Sequence, residues 1–543
     1  MGGSRSRSSS AIRENVATGG IGEDFSSIQA RNLSLSASCR TLYHRYQWRT
    51  VQRDEHIDAG PSVKGRVSAI TPIARSPEGD PAGSLQHTIN PMQFLVLGFG
   101  SIVGTGWVVL LGGWLAHAGP GGAVVGIIMG GASMMLIAAM YAELASRLPL
   151  TGGEVTYVNA IFGKKFGFIV GWLLTLAYVS NLIFEGVAVA WLLEILWPPI
   201  TGPILYVLLG QSIGLGSLLA TLASCVTITV LNYRGARSFV RFQNGLTAVF
   251  LLIVLATAGF ELYFGSNQNI NPVWQAANGS SWLVGAAWVF GSAPFMFNSF
   301  QSVLHAIEER SRSTSKEVVV RLCIVAVAGA ALFYVMVVLA AVSSTPWVAL
   351  ASSDLPAVAA LAHLPWSRAL TTALLVALVA SVLKTWSSVF MTAVRLVYAQ
   401  ARDGMIPAYF GSVNAKTGAP DNAVIAVGIF NFAGLFFGKG LIEPIVNTTS
   451  LCVAAIYALT CAGALTLRRR IPKHVGFRVP GGTPVAILGI GLAVGMALFA
   501  MLHPAQSSQA TAFKWALLVA WALCGLGLYH VRNRQSLARQ GRR

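Results

Sequence analysis

The chain has 543 residues, of which 54% are hydrophobic and 11% charged, and it carries a formal net charge of +18. That charged fraction is less than half the roughly 25% of soluble domains, which excludes a soluble globular fold for most of the sequence. The basic residues lie between long apolar runs, so membrane topology explains the charge better than a nucleic-acid partner does.

Residues 1–88, from "MGGSRSRSSS" to "SPEGDPAGS", are rich in Ser, Arg and Gly and hold no apolar stretch able to form a core. They are predicted to be a disordered cytosolic tail. Met1-Gly2 with Ser6 loosely fits a myristoylation pattern, but a polytopic protein needs no such anchor. The Arg/Ser bias suggests a transit peptide, against which Glu14, Glu23, Asp24, Asp54, Glu55 and Asp58 argue. No secretory signal is expected, and the first span serves as its own.

From about Pro91 twelve apolar runs follow, centred near 104, 134, 182, 217, 251, 294, 330, 384, 431, 455, 490 and 521. Each is long enough to cross about 30 Å of hydrocarbon at 1.5 Å per residue, so an all-α polytopic membrane protein with 12 transmembrane helices is predicted over 89–532. Residues 533–543 form a basic cytosolic tail. With both ends in the cytosol, all but four of the 38 Lys/Arg fall on the inner side. Arg368, Lys439 and Lys514 face outward and Lys384 lies within a span, an asymmetry that follows the positive-inside rule.

Span one contains "GFGSIVGTGW" (Gly98 to Trp107), although each interior Gly costs a helix roughly 1 kcal/mol against Ala. The stretch admits a phosphate loop, a helix-dimerisation face at Gly100 and Gly104, or a helix that comes apart. No strand precedes it, which argues against the first reading. After span two, Glu143, Arg147 and Glu154 sit at the cytosolic membrane edge and are expected to stabilise an inner gate. Span three carries Glu185 near its middle. Glu194, Glu261 and Glu443 fall near outer span ends and are expected to be solvated. The sequon Asn278-Gly-Ser280 lies in the outer loop before span six.

Span six is also interrupted, with Gly291, Pro294, Asn298 and Ser299 bunched at mid-depth. Pro294 lacks a backbone donor, and the two polar side chains compete with helical hydrogen bonds. Breaks at matching positions of spans one and six point to two five-helix halves, about 89–265 and 280–470, with extra helices at about 480–532. Beyond the break, His305 is read as a packed polar residue, and Glu308 and Glu309 as capping the inner end near Arg310 or Arg321. Asp354 to Leu364 is compatible with a short outer helix. Lys384 lies near the middle of span eight. A charge at mid-bilayer costs roughly 2.5–3.5 kcal/mol, so Glu185 and Lys384 are expected to approach each other. The six cysteines form no CxxC or Cys/His cluster and read as packing residues.

Several motifs resemble the amino acid–polyamine–organocation (APC) superfamily of permeases. They are GSIVGTG (100–106), AELASRLPLTGGEVTYV (142–158), FGKKFGFIVGW (162–172), HAIEE (305–309), the segment from Arg395 through YAQARDGMIP to Asn414 and Pro420, LRRRIP and GFRVPGG. The resemblance covers nearly everything after residue 88. It implies a five-plus-five inverted repeat with broken helices 1 and 6, and secondary transport of amino acids or related amines by alternating access. It further implies a substrate carboxylate at Ser101, Gly104, Thr105 and Gly106. The amine would then meet the Ile102 carbonyl and those around Phe295, Phe297, Asn298 and Ser299, with Phe295 as an aromatic lid.

Two departures from the family follow. The span-five position where some members carry a coupling Lys is here Phe250, so the ammonium of Lys384 is expected to substitute for a sodium ion from span eight. Position 301 is Gln where members often have an acid, which argues against selection of cationic substrates. Proton coupling or exchange is thus expected rather than sodium coupling. A polyamine or organic-amine carrier, and a non-transporting amino acid sensor, are the alternatives. No enzyme activity, cofactor or metal is expected. The partners are a small-molecule substrate and membrane lipid, in the plasma membrane or, alternatively, a vacuolar or endosomal one.

Overall fold

The computed structural model describes residues 90–540, except 149–152, 209, 235–238, 278, 306–310, 312, 415–419, 471–475 and 503–507, together with Trp48–Arg49 and Thr71–Pro72. Residues 1–82 form one unit and 83–543 another. In the first, β1 (Trp48–Arg49) pairs antiparallel with β2 (Thr71–Pro72). The rest of the expected tail, Asn278 of the sequon, and Glu308, Glu309 and Arg310 lie outside the described residues.

The second unit is helical. Helix α1 (Pro91–Ile102) starts at a capping box, Asn90 Oδ1 accepting from the Gln93 amide and Gln93 Oε1 from the Asn90 amide, both at 2.9 Å. Helix α2 (Gly106–Arg147) has 42 residues, twice what a bilayer requires, and is broken at Gly119, where φ is 64°. A Cβ at Gly119 would meet the Gln275 carbonyl oxygen at 2.0 Å, so both the positive φ and the close approach demand Gly. Then come α3 (Gly153–Phe162), α4 (Lys164–Leu196), α5 (Leu215–Arg234) and α6 (Phe239–Phe264). Between α4 and α5 a hairpin of β3 (Ile204–Leu208) and β4 (Gln211–Gly214) interrupts the helical order.

Helix α7 (Trp282–Met296) and the short α8 (Gln301–His305) make up span six, and α9 (Lys316–Ser344) follows. Of the outer helix expected at Asp354 to Leu364 a single turn forms, α11 (Pro356–Ala359), and a separate short helix, α10 (Trp347–Ala351), precedes it. The remaining helices are α12 (Ser367–Arg402), α13 (Asp421–Gly434), α14 (Ile442–Arg470), α15 (Gly482–Leu502) and α16 (Ser508–Gln540). Helix α16 thus continues beyond residue 532, where the sequence reading placed the tail. Among the described residues, 10 helical stretches are long and apolar enough to cross a membrane. Two of them, 106–147 and 421–470, contain breaks, at Gly119 and at Gly438 with φ 62°.

Helices α2 and α7 pack extensively on each other, as do α4 and α12, and α14 and α15. Helix α16 is clasped to α4 by a reciprocal pair. The Trp172 indole donates to the Trp521 carbonyl at 2.9 Å and the Trp521 indole to the Trp172 carbonyl at 3.0 Å, with the rings stacked at 4.4 Å. Three outer carboxylates differ from the solvated picture. Glu194 pairs with Lys439 at 2.5 Å, Glu261 is buried, and Glu443 faces a cavity between helices. Lys514 is buried as well, donating to the Ala500 and Met501 carbonyls.

Candidate functional site

The chain unwinds between α1 and α2 at Val103–Thr105. The Val103 amide still donates to the Phe99 carbonyl at 2.8 Å, and α2 restarts with the Val108 amide on the Thr105 carbonyl at 3.0 Å. The glycines before the break permit close approach rather than positive φ: a Cβ on Gly98 would meet Val303 at 2.7 Å and Ala326 at 2.9 Å. Gly100 faces Thr247 of α6 and Gly104 faces Thr385 of α12, so both glycines of the GxxxG spacing pack inside this chain.

The second break is at Phe297–Phe300, three residues later than Pro294, which sits inside α7. Pro294 removes the amide that would bond the Phe290 carbonyl, and α7 continues for little more than half a turn beyond it. Ser299 holds φ at 82°, unusual for a residue with a Cβ. The Asn298 side chain holds this turn, its Oδ1 accepting from the Ser299 amide at 2.8 Å and from Gln301 Nε2 at 3.3 Å.

The two breaks meet. Ser302 Oγ donates to Ser101 Oγ at 3.2 Å, and Tyr334 Oη of α9 lies 3.0 Å from the Ile102 carbonyl and 3.1 Å from that of Met296. One hydroxyl proton therefore ties both broken helices to α9. The Ile102 carbonyl also accepts from the Gly104 amide at 3.1 Å, which occupies its second lone pair. Both donors to the carbonyl that the family pattern assigns to the substrate amine are thus groups of the protein itself. Tyr334→Phe should leave these buried carbonyls underbonded at about 1–3 kcal/mol, lowering uptake into proteoliposomes about tenfold together with thermal stability. Unchanged values of both would show that the hydroxyl does not tie the breaks.

A cavity of about 60 Å³ opens between the breaks, α4, α9 and α12, with space for a few waters. Ser101, Ile102, Gly104, Thr105, Gly106, Phe295, Asn298 and Ser299 line it, as does Glu185. Phe297 does not. Its ring is buried edge-on against Tyr334, with centroids 5.5 Å apart, because the α7 C-terminus turns it toward α9. The Phe295 ring packs edge-on against Phe184 at 5.1 Å over the cavity.

Other lining residues escaped the sequence reading. Asn181 stands one turn before Glu185 on α4, a spacing that held a signal, and Thr385 adjoins Lys384. Tyr334 in its apolar run gave no signal at all.

Polar capacity converges on the cavity. Thr105 caps α2 without a side-chain cap bond, and its buried Oγ1 has no partner among the described residues. The Gly106 and Trp107 amides that open α2 have no intrahelical acceptors and carry the positive end of the helix dipole. The buried Glu185 carboxylate lines the same cavity beside Thr385, with Oε2 unpartnered among the described residues. An anionic group and a cationic group can thus be bound in one cavity.

Lys384 and Glu185 approach closely enough to interact electrostatically, as expected, but not within 4.0 Å. The Lys384 Nζ donates to Thr247 Oγ1 at 2.9 Å, directed toward α6, and Lys384 is absent from the cavity wall. Neighbouring positions on α12 point about 100° apart, so Thr385 faces the cavity while Lys384 is turned away. Phe250 is buried one turn from Thr247.

At the far end of α2, Glu143 accepts from Arg147 Nε at 3.1 Å, as expected for that pair. It also accepts from Arg468 Nε at 2.6 Å and from the Val479 amide at 2.9 Å.

Residues 89–524 match the amino acid permease family. The chain is 26% identical over 464 residues to a methylthioribose transporter of Bacillus subtilis, covering 83% of this chain and 94% of that one. It is 25% identical over 487 residues to the branched-chain amino acid permease BcaP of the same organism, with the same coverage of 83% and 94%. Its fold is similar to that of a manganese transporter mutant from Eremococcus coleocola, with TM-score 0.53, 15% identity and coverage of 82% and 97%. The chain is therefore an integral multi-pass all-α membrane protein, a transporter rather than an enzyme, and it belongs to the amino acid permease family of the APC superfamily.

Proposed function

We propose that this protein is a secondary active transporter that moves an amino acid across a membrane by alternating access. The observation that carries this reading is the presence, in one cavity, of the α2 N-terminus at Thr105 and Gly106 and the Glu185 carboxylate, with Thr105 Oγ1 and Glu185 Oε2 both unpartnered among the described residues. The substrate carboxylate takes the amides of α2 and the Thr105 hydroxyl, and its ammonium takes Glu185. Buried polar atoms without protein partners are costly, so a zwitterion is better accommodated here than an apolar solute. The breaks at Gly119 and Gly438 support a reading as twelve spans, and the distribution of Lys and Arg supports both termini in the cytosol.

Coupling is to protons or to exchange. The Lys384 ammonium, hydrogen-bonded to Thr247 between α12 and α6, supplies the positive charge that a sodium ion would otherwise bring. The names of the relatives range from methylthioribose to branched-chain amino acids, so at 25–26% identity they do not choose the substrate.

Uptake of a labelled panel of the twenty L-amino acids into vesicles, with imposed proton and sodium gradients, tests this reading. At least one amino acid is expected to accumulate with a proton gradient or by exchange, with no effect of sodium. Sodium-dependent uptake would contradict the role of Lys384. An organic-amine carrier would lose uptake in Glu185→Gln and tolerate Thr105→Val, whereas an amino acid transporter should be impaired by both.

A further inference from the structure

A second cavity lies along α2 and α7, on the side of the breaks away from α1 and α8. At about 90 Å³ it is larger than the central one, about 60 Å³. Its walls are successive turns of the same half-helices: Val109 and Gly113 follow Gly106 on α2, and Trp288 and Ser292 precede Phe295 on α7. The third wall is α14, where Glu443 and Asn447 stand four residues apart, about 6 Å along the axis on one face.

The polar complement of this space is specific. Asn447 is only 7% exposed, and its Nδ2 has no hydrogen-bond partner among the described residues. A buried donor left unmade is destabilising, and an acceptor in the cavity would satisfy it. Thr448, Thr449 and Ser450 follow it, but each successive residue turns about 100° around the helix and none of the three lines the cavity. Glu443 presents a carboxylate one turn away, and Lys514 of α16 lies close enough to interact with it electrostatically while donating to the Ala500 and Met501 carbonyls. The Trp288 ring, stacked on His117 at 4.5 Å, supplies a flat apolar wall.

We infer that this cavity is a second binding site for an α-amino acid, with the ammonium on Glu443, the carboxylate on Asn447 Nδ2 and the side chain against Trp288. The inference rests on the amino acid reading of the central cavity and extends it one to two turns along α2 and α7. A molecule moving between the two sites passes along the same pair of half-helices, so occupancy of one bears on access to the other.

Equilibrium binding to the full-length protein in lipid nanodiscs tests this. The probe is whichever of the twenty labelled L-amino acids gives the highest uptake in vesicles. A stoichiometry approaching two per protein is expected. Asn447→Leu and, independently, the cavity-filling Val446→Phe should each halve it to one, with an unchanged elution profile. A wild-type stoichiometry of one alongside normal uptake would overturn the second site and leave the central one standing. Two molecules bound in both variants would also overturn it. Neither binding nor uptake of any of the twenty would instead remove the central-site reading and this inference with it.

Discussion

Replacing Lys384 with Met should abolish concentrative uptake while leaving exchange of labelled for unlabelled substrate in place. The side chain is 2% exposed, its ammonium donates to Thr247 Oγ1 at 2.9 Å, and a charge at mid-membrane costs roughly 2.5–3.5 kcal/mol. A cost of that size is retained where the charge acts. Here it joins α12 to α6 at the residue against which Gly100 of α1 packs, since a Cβ on Gly100 would meet Thr247 Cγ2 at 3.2 Å. The ammonium is thus placed to make the position of α1 depend on charge at this point. Met keeps the length and removes the charge. In proteoliposomes with a proton gradient, the accumulation ratio should fall to about one, the equilibrium value for uncoupled exchange. Thr247→Val, which keeps the charge and removes its acceptor, should slow gradient-driven uptake about tenfold, the effect of losing about 1.4 kcal/mol. Gradient-driven accumulation that survives in Lys384→Met would remove the residue from the coupling mechanism.

Glu143→Gln is expected to have the largest effect on stability. The Glu143 carboxylate is fully buried and receives both Arg147 and Arg468 as well as the Val479 amide. It joins the end of α2 to the end of α14 and to the segment beyond it, and Arg468 also donates to the Gly482 carbonyl. Breaking a buried ion pair by removing one partner typically costs about 3–5 kcal/mol, because the remaining charge stays desolvated. In Glu143→Gln two guanidiniums are left so. A thermal unfolding midpoint several degrees lower is expected in detergent, along with poor expression. Arg147→Met should be milder, because Arg468 continues to neutralise the carboxylate. Equal losses in the two variants would argue against Glu143 as the shared centre.

Much of the fold was legible because its signals are local. Run length and basic loops marked the spans, and the glycines of 98–106 marked the first break, whose residues do line the central cavity. The second break was read from Pro294, but it falls at Phe297–Phe300, since a proline keeps a helical φ whereas a residue at φ 82° cannot belong to a right-handed helix. The Phe297 ring packs against Tyr334 while that of Phe295 lines the cavity. Lys384 and Thr385 divide in the same way between α6 and the cavity.

What the sequence by itself determined was an all-α membrane protein, the location of its interrupted helices, and an ionisable residue, Glu185, deep in a span. Which groups satisfy one another was decided only by tertiary structure. Tyr334 lies 232 residues from the Ile102 carbonyl it holds, and Arg468 lies 325 residues from Glu143. Helix formation and membrane insertion depend on neighbours within a few turns, so they are written in short stretches of chain. A buried hydrogen bond or ion pair depends on which faces meet after packing, and only the folded arrangement of all the helices specifies that.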